Sequence, residues 1–286
     1  MNNEEEMKQL KEFSELYLRN NNPWIDFKQI TYQKNTFYYL YNDKKTLSRK
    51  LAGNATYPIM IDNMDDEEHF VNLLLTNTSK KQSLHLEIPP QPWQGNPDAK
   101  MWILLTNPGY NPLDSEFYSN SAHCEAALSQ LQFKCSGDHW HYVVNPEYRK
   151  WKSEDDKDNY SWTWFRDRFV KQVKKVLRIR DDEKAFQFLD ENIFLLQSFG
   201  YASEGSQGDL FPLRFHSQAR FIRKLLKWGV DNGKSMYIMR SDAIWQYWLD
   251  DEKDICAQLE KDNRLFINPS PRISHLPEYI IKHINK

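Results

Sequence analysis

The stretch MWILLTNPGYNP, residues 101–112, decides how the rest of the chain is read. An apolar run stops at Asn-Pro-Gly and goes on turning through Tyr-Asn-Pro. A short, continuous apolar run bounded by turn residues is the pattern of a strand buried on both faces. Three further runs share it: NIFLLQSF (192–199), SMYIMR (235–240) and RLFIN (264–268). Helical patterns lie between them, in SEFYSNSAHCEAALSQLQF, WTWFRDRFVKQVKKVLRI, QARFIRKLLKWGV and AIWQYWLDDEKDICAQLEK. This alternation predicts an α/β fold, with a parallel sheet covered by helices on both faces.

Ligands of such sheets sit beyond the carboxyl ends of the strands. Those ends here read Asn107-Pro108-Gly109-Tyr110, Gln197-Ser198-Phe199-Gly200-Tyr201-Ala202-Ser203, Arg240-Ser241-Asp242 and Asn268-Pro269-Ser270-Pro271-Arg272-Ile273-Ser274-His275. All are polar, and convergent polar groups with free backbone amides make a pocket for a polar, anionic ligand. Taken alone, Asn-Pro-Gly equally suits a type II turn with Gly109 at positive φ. Tyr201 and Phe199 equally suit a core, and Arg240 a surface ion pair. The coincidence of position at every strand end favours a site.

Around these elements the chain of 286 residues is 40% hydrophobic and 14% aromatic, which is enough to build a core. A net charge of −2 gives no global basic field for nucleic acid. The start, MNNEEEMKQLKEF, is acidic and amphipathic, unlike a signal or transit peptide. No apolar run approaches the roughly 18 residues of a membrane helix. The cysteines are Cys124, Cys135 and Cys256, an odd and sparse set that suits a reducing compartment, so a cytoplasmic location is expected. Residues 4–19 have helical spacing, and KKTLSRKLAGN and DDEEHFVNLLLTN suggest short helices. The proline-rich IPPQPWQGNPDAK (88–100) reads as an extended approach, dividing a helical N-terminal extension, 1–88, from an α/β domain, 89–286.

The segments ILLTNPGYN and FINPSPRIS together resemble the two motifs of the uracil-DNA glycosylase superfamily. The Asn-Pro-Gly form and the Pro-Arg of the second motif are closest to its mismatch-specific and single-strand-selective branches. FGYAS and MRSDAIW look more like uncharacterised bacterial relatives. The resemblance implies a three-layer fold around a four-stranded parallel sheet of order 2-1-3-4. It further implies hydrolysis of the N-glycosidic bond of a deaminated or 5-modified pyrimidine in single- or double-stranded DNA, without cofactor, metal or membrane. In that reading Asn107 orients the water and Asn268 stabilises charge on the departing base. Gly109 leaves room for a 5-substituent, and Tyr110 and Tyr201 border the base pocket. Phe117 or Tyr118 stacks on the base, and Gln197 is the nearest match to the residue that reads its edge. Ser203, Arg240, Ser270, Arg272, Ser274 and His275 would contact DNA, with Arg272 as the wedge. An amide is no general base near neutral pH, so Asn107 implies slow chemistry or an activated leaving group. The alternative is a non-catalytic nucleotide- or nucleic-acid-binding module on the same fold, of a kind that could serve in bacterial or phage conflict.

Other clusters have plainer readings. His123, Cys124, Cys135, His139 and His141 fit no standard zinc spacing. KQVKKVLRIR and RFIRKLLK carry local positive charge that suits either a solvated face or DNA. The aromatic HWHYVVNPEYRKW and YSWTWF read as packing against the sheet, with a stacking platform as the lesser alternative.

Overall fold

The computed structural model describes residues 22–32, 35–39, 84–106, 108–203, 217–240, 242–250, 255–270 and 275–286. Its strands are β1 (Lys28–Tyr32), β2 (Asn35–Tyr39), β3 (Leu84–His85), β4 (Trp93–Gly95), β5 (Met101–Leu105), β6 (Ile193–Gln197), β7 (Ala202–Ser203), β8 (Ser235–Ile238) and β9 (Leu265–Ile267). The helices that matter here are α1 (Pro112–Tyr118), α2 (Ser121–Leu131), α3 (Tyr160–Phe165), α4 (Lys171–Leu177), α5 (Asp182–Asn192), α6 (Ser217–Asp231), α7 (Asp242–Asp250), α8 (Ile255–Lys261) and α9 (Glu278–Ile284). A π-helical turn, Arg166–Val170, joins α3 to α4. Among the described residues no helix is long and apolar enough to cross a membrane.

The main sheet is mixed and five-stranded, in the order β4-β6-β5-β8-β9. β5 pairs in parallel with both β6 and β8, and β8 with β9, whereas β4 runs antiparallel on the β6 edge. The expected sheet was four-stranded and wholly parallel; β4 corrects it. Its three residues follow Pro92, and a proline can stand just ahead of an edge strand, where only one terminal ladder bond is forgone. The Pro92 carbonyl even extends the ladder by accepting from Gln197 N at 2.8 Å.

Side chains alternate across β5 with period two. Met101, Ile103 and Leu105 enter one core, with Ile193, Leu195, Tyr237 and Met239 beside them. Phe165, Phe169 and Val173, Phe186 and Leu189, and Ile280 and Ile281 cover that face from the α3–α4 rod, α5 and α9. Trp102 and Leu104 enter the other core, where α6, α7 and α8 contribute Leu225, Trp245 and Leu259.

The opening segment departs from the helical expectation. Lys28–Tyr39 brings β1 and β2 together as an antiparallel pair. Their sequences, KQITY and NTFYY, hold the β-branched and aromatic residues that favour extended chain. The helices expected at 4–19, 44–54 and 65–77 lie outside the described residues. Nor is the opening segment set apart from the α/β elements. Trp24 and Leu86 belong to the same buried cluster as Trp102 and Leu196, and β3 pairs with β7.

Helix α6 comes close against the sheet at Gly229. A Cβ there would lie 2.9 Å from the Trp102 ring, which is fully buried and has no room to retreat. Gly229→Val should therefore lower stability by roughly 1–3 kcal/mol, read as a lower urea midpoint at unchanged slope.

Candidate functional site

At the carboxyl ends of β5, β6 and β8 the helices on the first core's face stop short and leave a cavity of about 350 Å³. That lies at the small end of ligand pockets, ~300–1,000 Å³. Leu105, Leu195 and Met239 form its apolar floor, continuous with the core. The register then supplies two amides. Gln197 lies opposite Leu105 and Gln94 opposite Leu195, so both side chains leave the sheet on the cavity side. The Gln94 Nε2 and Gln197 Oε1 atoms are buried and have no hydrogen-bond partner among the described residues. Each such atom costs about 1–3 kcal/mol until something pairs with it.

The loop after β5 forms the rim. Ser198 N donates to Leu105 O (3.0 Å), Phe199 N to Thr106 O (3.0 Å) and Ser198 Oγ to Thr106 O (2.6 Å), so the strand's last carbonyls are satisfied. Beyond them, Ser203 N donates to Pro108 O (3.2 Å) and Tyr110 N to Ser203 O (3.0 Å), a parallel bridge centred on Gly109. The Tyr110 ring stacks on His85, with centroids 3.2 Å apart. Asn111 then caps α1: its Oδ1 accepts from Leu113 N (3.0 Å), while Asp114 Oδ2 accepts from Asn111 N (2.8 Å). Gly109 does not use the positive φ that a type II turn would demand. A Cβ on it would meet nothing within 4 Å, so the glycine leaves space rather than permitting a turn.

The opposite lip comes from the α3–α4 rod. Tyr160, Trp164 and Arg168 follow one another at steps of four, on one helical face, and all line the cavity. The Arg168 guanidinium lies 5.2 Å from the centre of the Trp164 ring. Burial, and then the neighbouring charge of Arg240, hold it below the ordinary arginine range against the opposing pull of Tyr160 and Asp167. Arg240 lines the same mouth and is exposed.

Of the residues expected in the site, Gly109, Tyr110, Gln197, Ser203 and Arg240 line the cavity. Asn107, Arg272 and Ser274 lie outside the described residues. Phe117 is a correction: it is fully buried and stacks on His123 at 4.2 Å. Tyr118 sits behind the wall, where its hydroxyl meets Tyr142 (2.6 Å) and Gln91 Nε2 (2.8 Å). Tyr201 is another correction, since it faces the second core against Trp24 at 5.3 Å. The Asn268 amide ends β9 locally, donating to Met239 O (2.9 Å) and accepting from Ser270 N (3.2 Å). Neither Asn268, Ser270 nor the exposed His275 is among the lining residues.

Gln94, Tyr160, Trp164 and Arg168 were not anticipated. The aromatic YSWTWF does pack through Trp162 and Phe165, as read, but its other face, Tyr160 and Trp164, borders the cavity. The four-residue step through Arg168 was the available signal. The histidines and cysteines with doubtful zinc spacing have separate partners. His123 Nδ1 meets Phe117 O, Cys124 meets the Tyr38 hydroxyl, and His139 lies between Asp190 (2.7 Å) and Glu183 (2.8 Å). Among the described residues no group of three or more His, Cys, Asp or Glu side chains is placed to hold a metal ion.

No family model, curated protein or solved structure matches the chain. The role of the site therefore rests on its own chemistry.

Asp114, beneath the rim, gives that chemistry a pH signature. It is buried, and its Oδ1 has no partner. Burial pushes its carboxyl up to about 7, despite the Asn111 N–H and the pull of His85. An unfolded aspartate titrates near ~3.9, so the folded chain holds this proton more tightly. The stabilisation is complete below about pH 4 and is lost as pH rises through about 7. Urea unfolding should show wild type weakening from pH 5 to 8. Asp114→Asn, which keeps the acceptor for Asn111 N, should be flatter and more stable at pH 8 by on the order of 2 kcal/mol.

Proposed function

We propose that this cavity receives a pyrimidine base turned out of a DNA strand, on a uracil-DNA glycosylase-like scaffold, and that the reaction is hydrolysis of the N-glycosidic bond. The observation that carries this is the pair of buried, unpartnered amide atoms, Gln94 Nε2 and Gln197 Oε1, above an apolar floor. One donor and one acceptor lining the same cavity complement the acceptor–donor edge of a pyrimidine ring. The empty space at Gly109 accommodates a substituent on that ring. Further support comes from the parallel strands, which lie second, first, third, fourth in chain order, with the two motifs following the first and last of them.

In the reaction the C1′–N bond breaks and its electron pair goes to the base. Water adds to C1′, and its proton passes to the released base. Asn107 occupies the motif position that would orient this water. Asn268 is not among the residues lining the cavity, so charge on the departing base falls to Gln94 Nε2 instead. A buried donor aimed at developing charge is worth more than one in water.

A binding module without turnover is favoured by one observation: the described residues lining the cavity include no Asp, Glu or His. The two readings separate in an assay of base release from single- and double-stranded oligonucleotides carrying uracil, 5-hydroxymethyluracil or bulkier 5-modified cytosines. For the enzyme, Asn107→Ala should slow release by about 10²-fold, and Gly109→Phe should abolish both binding and release. Gln197→Leu should weaken binding about ten-fold. Binding lost in Gly109→Phe, with no release by wild type, would establish the module instead.

A further inference from the structure

The mouth of the cavity holds an imbalance of charge. Along the α3–α4 rod the cations on either side of it are paired: Arg166 with Asp167 (3.1 Å), Lys171 with Asp167 (2.8 Å) and Lys174 with Asp182. Arg168, in the middle of this series, has no carboxylate partner among the described residues, nor has Arg240 across the mouth. Two arginines that repel one another are nevertheless held at one opening. Arg168 is partly desolvated and placed over Trp164, and its carbonyl accepts from Leu276 N at 2.9 Å. The helix reaches this point through a π turn, a device frequent at functional sites. Planar guanidinium groups bind phosphate oxygens in pairs, and an anion between them removes the repulsion.

We propose that Arg168 and Arg240 together form a phosphate site at the mouth of the cavity, so that its ligand is a nucleotide engaged through base and phosphate at once. This rests on the reading of the cavity as a base pocket. The phosphate belongs either to a free nucleoside monophosphate or to a DNA strand, and the guanidinium chemistry is the same for both. Trp164, beneath Arg168, offers its ring to the sugar or to a neighbouring base.

Titration calorimetry of the full chain tests this with inorganic phosphate, with deoxyuridine, deoxycytidine and thymidine, and with their 5′-monophosphates. Single-stranded oligonucleotides with and without a 5′-phosphate complete the series. The monophosphate, or the strand, should bind at least about ten-fold more tightly than the nucleoside. Arg168→Met and Arg240→Met should each remove that advantage, so that nucleotide and nucleoside bind alike, while Arg168→Lys keeps part of it. An advantage confined to oligonucleotides assigns the phosphate to a strand; one shown by monophosphates assigns it to a free nucleotide. Equal affinity for nucleoside and nucleotide overturns the phosphate site and leaves the base pocket standing. Phosphate binding lost in both Met variants, yet indifferent to base and to Gly109→Phe, keeps the site and overturns the base pocket. An advantage that survives both Met variants, or no binding by any probe, overturns the proposal.

Discussion

Burial of β5 on both faces constrains everything built around it. Its side chains feed two cores in strict alternation, and its backbone is paired on both edges. Such a strand offers nothing to solvent along its length. Helices must cover both faces, and polar chemistry can enter only where the strand ends. There, Leu105 O and Thr106 O are taken by the segment after β6, and Leu105 O also accepts from Trp245 Nε1 at 3.1 Å. The same closure that satisfies the strand end builds the rim of the cavity.

The polar groups near the cavity divide into two sets. Tyr118 hydrogen-bonds Tyr142 behind the wall and Gln91, which lines the cavity. These act as structural cross-ties, since each member finds its partner within the fold. Gln94 and Gln197 differ because each keeps a buried atom unpaired, and both of those atoms belong to residues facing one cavity. A sequence chosen for stability alone would place apolar residues on such a floor. Violations of this kind tend to collect at functional sites.

The apolar runs made β5, β6, β8 and β9 legible from sequence, and with them the positions just beyond the strands. Gly109, Gln197 and Arg240 could be found because sheet topology converts chain position into place. Tyr201 could not be placed, because counting past a strand does not tell which face a side chain takes. Asn268 had the right position, but its amide closes its own turn. β4 stayed hidden in a proline-rich approach, and Gln94 with it. Arg168 escaped because its partner across the mouth, Arg240, is distant in sequence. A charged residue on a basic helix reads as solvated until tertiary structure brings the second charge beside it.

The bridge from Gly109 through Ser203 to Leu84 has a consequence for how the molecule assembles. β3 leaves the ribosome long before β7 exists to pair with it, and each contributes only two residues to the ladder. Closing so long a loop costs entropy that two residue pairs alone return slowly. The cavity rim therefore matures after the sheet behind it and is among the first parts to open again in local fluctuations. An occupied cavity would in turn hold β3 against β7.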